Sequence, residues 1–243
     1  MWGRAFLVYV YSVTWTRSAA TCVAAVGLAA CELSGPVGPL VHEHQVVERG
    51  AATSARVEIG MTAGDLFVKS GAKTLFDGDF DFNVPTLKPV ITYTVDGSTG
   101  ALKVTQESAS GNYENRWQLN LDETTPIDLR VTLGAGDSQL ELGRINLQSL
   151  TVRLGAGDVT LDLRGTPKKS YSVNVETGAG DTTIRLPASV GISASTTGLI
   201  GDANVSGLEK RDGRWINAQA EASPVTIDLN VKHAIGDLRL TAD

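Results

Sequence analysis

One four-residue phrase limits what this chain can fold into. Gly134-Ala135-Gly136-Asp137 returns complete as Gly155-Ala156-Gly157-Asp158 and Gly178-Ala179-Gly180-Asp181. A shorter Gly-Asp form stands at Gly64-Asp65, Gly201-Asp202 and Gly236-Asp237. From Gly136 the later copies follow after 21, 23, 21 and 35 residues, and Gly64 lies 72 residues upstream. Self-similarity at such spacings marks units that must stack to bury their apolar faces.

The flanks of the copies align. Three residues after each Asp stand Val68, Leu140, Leu161, Ile184, Val205 and Leu240. Three residues before the position of Gly134 stand Ile59, Val131, Val152, Val175, Thr196 and Val231. Five before it stand Val57, Leu129, Leu150, Val173, Ala194 and Leu229. Aliphatic residues at alternate positions on both sides of a corner mean strands with one buried face. The unit is strand, tight Gly-Asp corner, strand, return loop. Glycine supplies the positive φ of such a corner, and Asp is expected to bond its own local backbone amides. The predicted fold is all-β: a repetitive β-solenoid, like a right-handed parallel β-helix. An antiparallel β-sandwich is the alternative, because pattern alone does not fix strand pairing.

Three segments precede or make up this array. Residues 1–30 read as a secretory signal, with Arg17 ahead of the uncharged run Ser18–Ala30. That run is shorter than the ~18 residues a spanning helix needs. Its end, Leu28-Ala29-Ala30-Cys31, resembles the lipobox of bacterial lipoproteins. The resemblance implies that Cys31 becomes the N-terminus, carries a thioether-linked diacylglycerol, and anchors the chain to a membrane. An ordinary cleaved signal with a chance cysteine is the alternative. Cys22 would leave with the signal, so no thiol pair remains for a disulfide or a cysteine metal site. Losing Arg4 and Arg17 takes the 21 basic residues to 19 against 27 acidic, moving the net charge from −6 to −8. With no basic cluster, nucleic acid is excluded as an expected partner.

Residues 31–50 read as a flexible tether, rich in Gly and Pro. His42-Glu43-His44 falls inside it. An alternating His pair can chelate a metal, but a site needs further ligands, and His233 is the only other histidine. Solvated tether residues are the expected reading. Residues 51–243 form one repetitive domain. In Phe76–Pro85 the Phe residues 76, 80 and 82 are expected inward and Asp77, Asp79 and Asp81 outward. A calcium loop there would need Gly and Glu where Phe82 and Lys88 stand. Val90–Val95 and Ala101–Gln106 read as a hairpin, and Trp117–Leu121 as the start of the regular array. Glu209–Ala222, with Trp215, breaks the rhythm and is expected to cover an end of the stack.

Taken together, the run Val57–Gly64, Asp81–Pro85, Trp117–Leu121, the three Gly-Ala-Gly-Asp corners and Leu186-Pro187 resemble the toast-rack family of bacterial envelope proteins. More distantly they are similar to the “putative adhesins” and the LiaF-like cell-wall-antibiotic response proteins. The resemblance covers nearly all of residues 51–243. It implies a β-solenoid-like fold outside the cytoplasmic membrane and no catalytic residues, because the shared motifs are the structural corners. By that reading the site residues are Gly134, Gly136, Asp137, Gly155, Gly157, Asp158, Gly178, Gly180, Asp181, Gly201, Asp202, Gly236 and Asp237, as corners, with Cys31 for lipidation.

Other chemistry finds little support. A dinucleotide fingerprint would need a third Gly where Gln139, Thr160 and Thr183 stand, and each corner ends in an Asp that repels phosphate. Stacked Asp137, Asp158, Asp181 and Asp202 must either cap amides or share calcium, and capping is expected. No Gly-x-Ser-x-Gly occurs, and one His in the repetitive domain leaves little scope for a Ser-His pair. The outward columns Thr132, Arg153, Glu176, Thr197, Lys232 and Glu141, Asp162, Arg185, Ser206 mix their charges, as a solvated face does. Two functions follow. One is a lipid-anchored, cofactor-free scaffold or adhesin-like surface for wall polymer or another envelope protein. The other is a β-helix enzyme acting on glycans, marked by clustered surface aromatics or a carboxylate pair in a groove.

Overall fold

The computed structural model describes residues 37–109, 111–198 and 200–243. The signal segment and Cys31 lie outside the described residues. In chain order the strands are β1 (Val41–Val47), β2 (Ser54–Ala63), β3 (Asp65–Ser70), β4 (Phe76–Phe82), β5 (Val90–Asp96), β6 (Thr99–Thr105) and β7 (Asn115–Leu121). The array continues with β8 (Ile127–Ala135), β9 (Ser138–Glu141), β10 (Leu147–Ala156), β11 (Val159–Asp162), β12 (Tyr171–Ala179) and β13 (Thr182–Leu186). Then come β14 (Gly191–Thr197), β15 (Ala203–Ser206), β16 (Glu209–Arg211), β17 (Arg214–Ile216), β18 (Thr226–Ile235) and β19 (Leu238–Ala242).

Each Gly-Asp corner joins a strand of one sheet to a strand of another. The first sheet runs β16-β17-β14-β18-β12-β10-β8-β2-β6-β5 and the second β1-β4-β7-β3-β9-β11-β13-β19-β15. Equivalent strands of neighbouring rungs point the same way, because every rung enters the first sheet, turns the corner and leaves through the second. Their pairing is therefore parallel, as a β-solenoid requires and a sandwich of hairpins does not. The register matches the sequence alignment residue for residue. Val57 pairs with Leu129, Leu129 with Leu150, Leu150 with Val173 and Val173 with Leu229. On the second sheet Val68 pairs with Leu140, then Leu161, Ile184, Leu240 and Val205 follow. All of these except Val205 are buried in one hydrophobic core drawn from both sheets. Each such side chain contributes ~1.5–3 kcal/mol on leaving water.

Three expectations are corrected. The last rung, β18–β19, lies between β12–β13 and β14–β15, so copies do not stack strictly in sequence order. Ile227, Leu229 and Val231, followed by the buried His233, give β18 an inner face that belongs inside the stack. β15, with little buried surface, tolerates the sheet edge. Second, Trp117–Leu121 does not start the array. It lies outside β3, which holds it from the stack's interior, and carries β4 antiparallel on its other side. Third, the tether ends early: Val41–Val47 is strand β1, paired antiparallel with β4 along its whole length. Here the sequence lacked core-facing bulk, because β1 is an edge strand in which no residue is fully buried.

Other expectations hold. Phe76, Phe80 and Phe82 face inward, with Phe80 edge-on to Trp117 at 5.2 Å between ring centroids. β5 and β6 form the expected hairpin. The β16–β17 hairpin covers the edge of β14, and Lys210 sits 5.4 Å over the Trp215 ring.

Candidate functional site: the corner ladder and the outer faces

All the predicted corner residues come together along one line of the stack. At Gly157 φ is +121°, and a Cβ would lie 2.1 Å from the carbonyl oxygen of Gly136 on the next rung. Gly155 has no positive φ, yet a Cβ there would meet the Gly134 oxygen at 2.3 Å. The second glycine of the motif is thus required twice over, by conformation and by space, and the first by space alone.

The aspartates do cap amides, but not their own. The Asp158 amide donates to Asp137 Oδ1 at 3.0 Å, and the Asp181 amide to Asp158 Oδ1 at 2.8 Å. The Asp237 amide donates to Asp181 Oδ1 at 3.0 Å, and the Asp202 amide to Asp237 Oδ1 at 3.1 Å. Each carboxylate therefore reaches across to the neighbouring rung. The expectation of local capping is corrected for a simple reason: the backbone carbonyl ladder continues through the corner, for instance Gly157 N–H to Ala179 O at 2.8 Å. Only the Asp amide is left over, and the carboxylate of the adjacent rung lies beside it. Asp65, in the first corner, instead meets Arg116 at 3.4 Å.

Beside this line, on the first sheet, a shallow trough of about 710 Å³ runs across the rungs. Gly134, Gly155 and Gly178 line it, together with Thr132, Arg153, Glu176, Lys232 and Thr197. Glu176 takes Arg153 Nε at 2.8 Å and Lys232 Nζ at 3.2 Å, and these partners hold its carboxyl below the usual range, the Arg153 hydrogen bond foremost. On the second sheet Asp162 is held low chiefly by its hydrogen bond from Arg164. Arg185 lies 3.9 Å from the same carboxylate. The outward columns are thus paired charges on solvated faces.

His233 is 2% exposed and belongs to the core. Its Nδ1 lies 2.6 Å from Thr177 Oγ1 and 3.2 Å from Thr182 Oγ1. A buried hydroxyl and a buried imidazole meet here, on neighbouring rungs. Trp117 is likewise fully buried.

The residues that sequence reasoning set aside are His42 and His44. Pairing of β1 with β4 puts His42 opposite Asp81 and His44 opposite Asp79 on the outer face. His44 Nδ1 lies 2.8 Å from Asp79 Oδ1 and 4.0 Å from Asp77 Oδ1, and His42 Nδ1 lies 2.5 Å from Asp81 Oδ1. The available signal was the matching alternation of His-x-His with Asp-x-Asp-x-Asp, two strands of complementary outward charge.

Residues 37–185 match the family model for the N-terminal domain of toast_rack, DUF2154. The chain belongs to the toast-rack family. Residues 134–240 also match the C-terminal domain of LiaF, described as responding to cell wall-active antibiotics. Among solved structures, a “putative cell adhesion protein” from Clostridium sporogenes is 28% identical, with a TM-score of 0.79. The match spans 84% of this toast-rack chain and 100% of that one. A “putative adhesin” from Bacteroides fragilis matches at 12% identity and a TM-score of 0.34, over 84% of this chain and 99% of that one. No curated protein matches the chain. Among the described residues, no helix is long and apolar enough to cross a membrane.

Proposed function

We propose that this toast-rack protein is a lipid-anchored, extracytoplasmic scaffold of the cell envelope, serving an adhesin-like or envelope-stress role without catalysis. Its partner is a wall polymer or another envelope protein. The trough across the first sheet carries the reading. It offers an extended partner a glycine floor with the backbone close to the surface, flanked by the alternating charges of Arg153, Glu176 and Lys232. The LiaF-like match and the Clostridium sporogenes structure support the envelope setting. Trp117 and His233 are both buried, so neither is a surface group for a glycan to meet.

The test is capture from solubilised envelope with the acylated protein as bait, beside Cys31→Ser. The variant is expected to lose labelling by a lipid precursor and to leave the membrane fraction, while wild type retains a specific wall or protein partner. Unchanged membrane retention of Cys31→Ser would contradict the anchor, and capture of nothing by wild type would contradict the scaffold.

A further inference from the structure

We propose that His44, Asp77 and Asp79 form a binding site for a first-row divalent cation of the imidazole-and-carboxylate class, with zinc as its probe. The donor atoms of these three side chains all lie within 4.8 Å of one another. Two donors bound tetrahedrally to zinc at ~2.0–2.1 Å stand about 3.3 Å apart. The His44 distances of 2.8 and 4.0 Å to the two carboxylates bracket that value, so small rotamer changes suffice. The donors also come from two strands held in fixed register, which places them before any ion arrives.

Charge points the same way. Asp77 and Asp79 leave one face of β4 side by side, and across from them β7 presents Asn120 and Gln118, both neutral. Among the described residues neither carboxylate pairs with a lysine or arginine; the His44 imidazole lies within 4.0 Å of both. The neighbouring row differs, because there Asp81 lies between His42 and the fixed cation Arg116 in register. The cation deficit therefore centres on Asp77 and Asp79. An imidazole with two carboxylates suits zinc and its neighbours, whereas calcium takes oxygen ligands alone. A bound ion would join β1, the first of the described strands in chain order, to β4.

The experiment is calorimetric titration of the full chain, free of any histidine tag, with zinc chloride and separately with calcium chloride. Cobalt titration follows the same site by visible absorption. Wild type should bind one zinc, and His44→Ala and Asp79→Asn should each weaken binding by more than ~10-fold. Asp79→Asn keeps the side chain's shape, so its effect separates ligation from packing. His42→Ala should bind zinc like wild type. Absence of zinc binding, equal affinity in His44→Ala, or calcium binding that depends on His44 would each overturn the proposal.

Discussion

The rungs from β8 to β13, which build both sheets, and the end of the second sheet formed by β1, β4 and β7 are held together by different means. In the array, every rung repeats one solution: aliphatic residues in register inside, glycines at the corner, an Asp reaching to the next rung. At the end β7 still pairs parallel with β3, but β4 and then β1 are added antiparallel. Aromatic bulk replaces the aliphatic ladder, with Phe76, Phe80 and Trp117 all fully buried. Cross-strand pairs of unlike groups, His42–Asp81 and His44–Asp79, replace the Asp-to-amide bonds. The array thus depends on close backbone approach, while the end depends on side chains filling and pairing.

The sharpest contrast is at two glycines of nearly equal φ. Gly157 has φ +121° and backbone 2.1 Å from a prospective Cβ, whereas Gly71, after β3, has φ +122° and nothing within 4 Å. Gly71→Ala should cost ~1 kcal/mol, from φ alone. Gly157→Ala adds a clash with a neighbouring rung and should cost ~3–5 kcal/mol or prevent folding. Equal losses in chemical denaturation would mean that rung spacing can relax around a methyl group.

A second comparison concerns the ladder interior. Leu161, fully buried between Leu140 and Ile184, should cost ~2–5 kcal/mol when changed to Ala, through lost transfer energy and a cavity. Its neighbour Thr160 points outward, and Thr160→Ala should move stability by ~0.5 kcal/mol. Similar effects at the two positions would break the register assigned to the array.

The array was legible because period-2 alternation and a recurring corner constrain each other: Val57, Leu129, Leu150 and Val173 could be aligned before any strand was paired. Rung order was not legible. The 35-residue spacing from Gly201 to Gly236 allows the last rung to turn back, and nothing local says between which neighbours it goes in. The direction of the Asp bonds was hidden for a related reason. Local capping and capping across rungs use the same residue, and only the competing carbonyl ladder decides between them. β1 was missed because its outward histidines and half-exposed valines carry no core signal; its partner, the Asp-bearing face of β4, lies more than thirty residues away.

The central claim is that the corner Asp is a structural bond between rungs. Asp158 accepts the Asp181 amide, whereas β15 is the last strand of its sheet, and the Asp202 carboxylate accepts no rung amide among the described residues. Thermal and urea melts of Asp158→Ala and Asp202→Ala compare an interior corner with a terminal one in the same motif. Asp158→Ala should cost ~1–3 kcal/mol by leaving the Asp181 amide without its acceptor. Asp202→Ala should stay within ~0.5 kcal/mol. Equal destabilisation at both corners, or a calcium-dependent melting increment that both variants lose, would contradict the ladder and assign the aspartates to a shared ion instead.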